Sequence, residues 1–377
     1  MKPMQFVWAF CALISLALPI GASVQARDLP ADFIADRLGP SCTRFFSPSR
    51  LSGDLRYVSE LRSVSLQSTN SLTMDHDAIS KRWTRLLGVA MGAAARNDQS
   101  SAGQIIDTLV GLAEARALLG VMSVSEAQRV NCWAGGNKNS VCPYHVVQHS
   151  GFAAIAMIMS ASMLEEHIQP DQKKILEGYF DALFKKFIGP LSKNGLRSDG
   201  LYEFADYGIG VLAYARWTGN SRLATSEINA RKRSFLGKIN ADGLIDNNSF
   251  RGYRGYWYHT LGAESAFGYA LVARRFGVDL FNDRQLGPRL RNLAIQVVNG
   301  ANDYASFRAL PARGNNAARD VADEIPHMHQ FAVNLPRIIQ QEYGLRVPIQ
   351  SAYRSKGQSE TISRLIGFNA DCYYDSR

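Results

Sequence analysis

The sequence predicts an all-α fold, an α/α toroid built as an incomplete barrel of helical hairpins in a single domain. Three observations predict it. Apolar residues recur at three-to-four spacing over most of the chain, strand-like alternation is scarce, and a loop pattern repeats. In the repeat, Asn194, Gly195, Leu196 and Asp199 precede a helix from Tyr202 to Trp217, and Asp242, Gly243, Leu244 and Asp246 precede one beginning near Tyr253. The two glycines lie 48 residues apart. That is the length of a helical hairpin with its loops, and such hairpins stack side by side to bury a shared core. Tight turns at Gly219 and Gly277 close the two copies.

Each element follows from local signals. Phe6 to Ile20 is apolar, follows Lys2 and leads to small residues at Ala22 and Ala26, so residues 1–26 read as a secretory signal peptide and residues 27–377 as the mature domain, periplasmic or secreted. Residues 27–75 show no periodicity. Helices are expected from Ala78 to Arg96 and from Ser101 to Leu119, with Asn97 to Ser100 as the break. Pro143 suits a first helical turn, and an apolar helix follows from Tyr144 to Glu165. Another begins at Pro170 and is expected to end near Gly189 and Pro190; a later helix is expected over Leu286 to Asn299, and Pro326 to His329, with His327 between, lead into a last one ending near Tyr343.

Five cysteines become four once Cys11 leaves with the signal, an even count that suits two disulfides in an oxidising compartment. Cys132 and Cys142 bracket a short loop and form the expected pair, with Cys42 and Cys372 tying the chain ends. The full chain carries a net charge of +9, which favours a polyanionic partner, and for an exported protein that means an acidic polysaccharide rather than nucleic acid. No later segment reaches the roughly 20 apolar residues that span a bilayer, so no membrane partner is expected.

The densest polar stretch runs from Asp246 to Thr260 and holds Asn247, Asn248, Arg251, Tyr253, Arg254, Tyr256, Tyr258 and His259 at the mouth of an apolar helix. His145 and His149 stand four apart, a chelating spacing, but without the intervening glutamate of the zinc-protease motif; no metal and no cofactor are expected.

Ala241 to Phe307, about a fifth of the chain, resembles the helical-toroid alginate lyases, through Gly243, Asn247, Arg251, Arg254, Tyr258, His259 and the run Phe276 to Leu280 in one gap-free register. The resemblance implies an exported enzyme that cuts an acidic polysaccharide by β-elimination. Arg254 stands at the family's catalytic arginine, but its tyrosine, seven residues later, is replaced by Leu261. Tyr258 lies about one turn earlier, and Arg251 with Tyr258 restores the seven-residue spacing. The family's two asparagines and histidine are absent where the register puts them, at Leu201 to Glu203; the nearest likeness is Gln148 with His149, as an inserted hairpin or a related glucuronan lyase family would place it.

Elimination from a 4-linked uronate needs the C6 carboxylate neutralised, a base at C5 and an acid at O4. Arg254 or Gln148 suits the first task. Tyr258, with His149 or His259, suits the others, and a neighbouring guanidinium favours the phenolate a tyrosine base requires. Arg251, His259, Asn247, Asn248 and Tyr253 are the candidate substrate contacts. Two other readings compete. An inverting glycoside hydrolase would use carboxylates among Asp242, Asp246, Glu203 and Asp206, and a non-catalytic polysaccharide-binding homologue is favoured by Leu261.

Overall fold

The computed structural model describes residues 55–56, 76–129, 143–194, 201–246, 248–311, 334–348 and 370–375. Its main helices are α1 (His76–Arg96), α2 (Gln99–Glu114), α3 (Val124–Arg129), α4 (Pro143–Met163), α5 (Pro170–Leu183), α6 (Gly189–Asn194), α7 (Leu201–Trp217), α8 (Ser221–Lys238), α9 (Gly255–Arg275), α10 (Gly287–Asn302), α11 (Tyr304–Arg308), α12 (Leu335–Tyr343) and α13 (Ala370–Asp375). Among the described residues the only strand-like pairing is a single antiparallel bridge, Ile239 with Ile245. The fold is an all-α toroid.

Hairpins α1–α2, α4–α5, α7–α8 and α9–α10 each place one helix inside and one outside. The inner helices pack in succession, α1 on α4, α4 on α7, α7 on α9. Close approaches fix their sense. A Cβ on Gly151 would meet Tyr207 and one on Gly210 would meet Ile155, so α4 and α7 advance together; one on Gly262 would lie beside Leu201 and one on Gly208 would meet Tyr269, so α7 and α9 do too. Inner helices α4, α7 and α9 are therefore parallel, and their N-termini share one end of the molecule.

The caps explain where the helices start. Asp98 accepts from the Ser101 N–H at 3.1 Å and Asn220 from that of Leu223 at 3.0 Å, each matching one donor that the helix cannot satisfy itself. Pro170 stands in the first turn of α5, where its missing N–H costs no hydrogen bond. The turns at Gly219 and Gly277 fall where the repeat places them.

Several boundaries differ from the sequence expectation. The second helix stops at Glu114, not Leu119, because the chain turns out at Arg116 and Leu118, both at positive φ. The Pro170 helix does not end at Pro190. A π turn at Phe184–Ile188 takes up the register, and Pro190 then sits in the first turn of α6, where it is tolerated. A 3₁₀ turn, Gly252–Arg254, delays the start of α9 to Gly255. The outer helix expected over Leu286 to Asn299 runs Gly287–Asn302, and the last expected helix is described from Leu335. The polar tail adds α13, tied back through Tyr374, which donates to Glu342 at 2.7 Å.

The core lies between inner and outer layers, where Phe180, Phe187, Phe235, Phe267, Tyr207 and Tyr269 lose essentially all exposure. By composition Val146–Met163 of α4 is apolar enough to cross a membrane, yet 94% of it is buried inside the fold. One charged cluster shares this interior. Arg231 pairs with Glu227 at 2.8 Å and donates to the Ser192 carbonyl at 3.0 Å, and Gly208 leaves room for it, since a Cβ there would collide with both side chains. Burial pushes the Glu227 carboxyl up, and the Arg231 guanidinium opposes that shift.

The expected signal segment, the loop from Cys132 to Cys142, Cys42, Asn247 and His327 with His329 lie outside the described residues, as do the side chains of His145, Tyr202, Glu203, Tyr253 and Cys372. The two expected disulfides fall there.

Candidate active site

The loop between α8 and α9 is the platform of the site. Its turn closes on itself, with the Gly243 N–H donating to Asn240 O at 3.1 Å and the Leu244 N–H to Asn240 Oδ1 at 2.8 Å. Outer helix α10 then clamps it. Asn292 donates to the Ala241 carbonyl at 2.8 Å, Gln296 to that of Asp242 at 3.0 Å, and Arg289 to that of Ile239 at 2.6 Å.

Beyond this turn the chain is pinned to the first turns of α9. The Ser249 hydroxyl accepts from the Ile245 N–H at 2.8 Å and lies 2.9 Å from His259 Nδ1. With its hydrogen on that line, His259 is the neutral Nε2–H tautomer. Asn248 Nδ2 donates to the Tyr258 carbonyl at 3.0 Å. Tyr256 reaches the other way, its hydroxyl donating to the Val297 carbonyl of α10 at 2.8 Å.

These anchors sort the residues of the dense stretch by face. Tyr256 and His259 point toward α10 and α11; Gly262 and Tyr269 face α7 and α8. Trp257 and Leu261, one turn apart, mark the remaining face, with Tyr258 at its edge. There the Arg251 guanidinium lies 3.9 Å from the Tyr258 ring centre, Arg254 lies 5.7 Å from that of Trp257, and the two aromatic rings are 4.7 Å apart. Cations of the 3₁₀ turn thus pair with aromatics of the first turn of the helix.

Gln148 and His149 sit in the second turn of α4, each 8% exposed. The Tyr207 hydroxyl donates to the Gln148 carbonyl at 3.0 Å, and the Phe152 ring stacks on Tyr207 at 5.1 Å and meets His149 edge-on at 6.0 Å. Because α4, α7 and α9 run parallel, this cluster and the Arg/aromatic turn of α9 occupy the same end of the inner helices. They come from different hairpins, about 100 residues apart in sequence.

Other candidates occupy different settings. Asn248 and His259 are fully buried, so neither offers surface to a polymer; both instead hold the loop against α9. Asp206 is also fully buried, while Asp242 and Asp246 are exposed, so these three acids do not share one setting. The local charge is carried by Arg251 and Arg254. Among the described residues no group of three or more His, Cys, Asp and Glu is placed to hold a metal ion. Trp257, Phe152, Tyr207 and Ser249 were not singled out by sequence reasoning; only the positions of Trp257 three residues after Arg254 and of Phe152 one turn from Gln148 hinted at two of them.

Complete burial pushes the His259 imidazole down to about 3, with the nearby Leu293 backbone opposing the shift. The unfolded chain takes up this proton near pH 6.5 and the folded chain only near 3. The His259 contribution to stability is therefore fully present above about 6.5 and is lost progressively as the pH falls below it. His259→Asn, whose amide oxygen can take the place of Nδ1, is expected to flatten that acid limb in urea melts recorded from pH 7 to pH 4; an unchanged limb would remove His259 as its source.

The family described as alginate lyase matches residues 128–307, a span that contains Gln148, His149, Arg251, Arg254 and Tyr258. The structure of alginate lyase A1-III from Sphingomonas species A1 superposes with a TM-score of 0.56 at 12% identity, covering 93% of this chain and 97% of that one. A tyrosine-to-phenylalanine variant of alginate lyase A1-III complexed with tetrasaccharide superposes with a TM-score of 0.54 at 12% identity, over 93% of this chain and 96% of that one. At such identity these neighbours establish the shared fold. No curated protein sequence matches the chain.

Proposed function

Residues 128–307 belong to the alginate lyase family, and from that premise we propose that the protein is a polysaccharide lyase that cleaves a 4-linked polyuronate by β-elimination. The observation that supports the reading is the parallel run of the inner helices, with the Arg251/Tyr258 and Arg254/Trp257 pairs near the start of α9 and the Gln148/His149 pair near the start of α4.

In this reading Arg254 or Gln148 holds the C6 carboxylate and stabilises the charge that moves onto it as the C5–H bond breaks. Tyr258, with His149, takes the C5 proton and returns a proton to O4 as the C4–O4 bond breaks. The electron pair of the C5–H bond becomes the C4–C5 double bond. One chain yields two, one ending in an unsaturated uronate and the other in a new reducing sugar without oxidation or added water. His259, being fully buried, acts through Ser249 on the loop and not on the sugar. Candidate substrates are polymannuronate, polyguluronate and glucuronan. Export through the apolar amino-terminal segment is part of the proposal, since polymers of this size are met outside the cell.

The test is the ultraviolet absorbance of the conjugated double bond during incubation with each polymer. A rise with one of them supports elimination and names the sugar. Reducing ends without that absorbance would overturn the reading in favour of hydrolysis. Binding without either signal would favour a non-catalytic homologue, a second reading that rests on Leu261, only 5% exposed where the family carries its tyrosine.

A further inference from the structure

The first turn of α9 has no side-chain cap; Arg254, at the cap position, makes no capping hydrogen bond. The 3₁₀ turn Gly252–Arg254 runs straight into it, with the Gly255 N–H donating to the Gly252 carbonyl, so backbone and not a side chain starts the helix. This turn carries Trp257 and Tyr258. What holds it is a sequence of lateral anchors, Tyr256 to the Val297 carbonyl, Asn248 to the Tyr258 carbonyl and Ser249 to His259. Of these, only the Asn248 bond fastens the Tyr258 peptide itself.

Asn248 is an expensive way to make that bond. It is fully buried, its Nδ2 makes the one hydrogen bond, and its Oδ1 has no partner. A buried amide left half-satisfied destabilises the fold relative to an apolar side chain of the same size. Helix α9 also makes room for it. A Cβ on Gly262 would stand 3.1 Å from Asn248 Nδ2 and 2.7 Å from Ile245 Cδ1, so glycine is what lets the amide reach the helix, at the cost of a weaker helical residue mid-turn. Two residues on two elements thus each forgo stability for one contact.

We infer that Asn248, admitted by Gly262, is a positioning residue that fixes the Tyr258 peptide and with it the direction of the phenol. The inference rests on Tyr258 being the proton-transfer group of the proposed elimination. Displacing a reacting group by about 1 Å can cost 100-fold in rate, so a peptide-level anchor is a proportionate device.

The experiment compares wild type, Tyr258→Phe, Asn248→Leu and Gly262→Ala on the polymer that wild type cleaves. Asn248→Leu and Gly262→Ala are each expected to lower kcat roughly 10- to 100-fold with KM little changed, while the melting temperature stays level or rises in Asn248→Leu and falls somewhat in Gly262→Ala, whose methyl presses on Ile245 Cδ1. The double variant should lose no more than the worse single one, because both break the same contact. Wild-type kcat in Asn248→Leu or Gly262→Ala, alongside an inactive Tyr258→Phe, overturns the positioning role and leaves the reaction standing. So does a fall in melting temperature that accounts for the lost activity in both variants. An active Tyr258→Phe, or a wild type that forms no unsaturated product, overturns instead the reading of Tyr258 on which the inference rests.

Discussion

Tyr258→Phe is expected to lower kcat for polymer cleavage by roughly 10²–10⁴-fold, the range lost when a positioned acid or base is removed, with binding and fold retained. The phenyl ring keeps the face over which Arg251 lies at 3.9 Å, and the Asn248 anchor grips the backbone, not the hydroxyl. Polymer affinity and melting temperature should therefore stay within error of wild type. Full activity in Tyr258→Phe would send the search for the proton carrier to His149. Leu261→Tyr supplies the complementary test, since position 261 lies one turn from Trp257 on the same face. If it restores cleavage to Tyr258→Phe, the two positions address the same substrate atom.

Gly243→Ala is expected to be the most damaging single-methyl change in the site, with a cost of about 2–4 kcal/mol, combining backbone strain with forced overpacking. Gly243 has a φ of 83°, and a Cβ there would stand 2.2 Å from the Asn292 carbonyl carbon and 2.3 Å from the Leu293 nitrogen. Those are backbone atoms of α10 and cannot step aside as a side-chain tip can. The loop would have to lift, breaking the bonds from Asn292 and Gln296 and disturbing everything from Ser249 to Tyr258. Gly219→Ala is the control, for it has a φ of 69° with nothing within 4 Å of the added methyl, so it reports strain alone, about 1–2 kcal/mol. Chemical denaturation of the pair separates the two contributions. Equal losses would mean that the loop does not press on α10.

The helical hairpins and their turns were legible because three-to-four periodicity and glycine punctuation are local signals, and Gly219 and Gly277 fall where the repeat put them. The division of labour among the aromatic residues was not. Tyr256 and Tyr258 are two residues apart and chemically identical, yet one spends its hydroxyl on Val297 of α10 and the other lies under Arg251. Which face of a helix is the inner one depends on neighbours that arrive from distant hairpins. The same holds for His259, whose type suggests catalysis and whose complete burial against Ser249 gives it a structural task. Pro190 misled for a different reason, since proline breaks a helix interior but suits a first turn, and sequence alone does not show the π turn that converts one setting into the other.

The parallel run of the inner helices also has an electrical consequence. Each helix N-terminus presents unpaired N–H groups equivalent to about half a positive charge, and three such ends, those of α4, α7 and α9, open on the same mouth. Neither α4 nor α9 carries an acidic residue in its first turn to offset this. Peptide dipoles and the two arginines therefore act in the same direction, and the rim draws in a polyanion before any sugar is recognised. Because those dipoles belong to the backbone, loss of either arginine side chain weakens this attraction but leaves the helix ends' share of it in place.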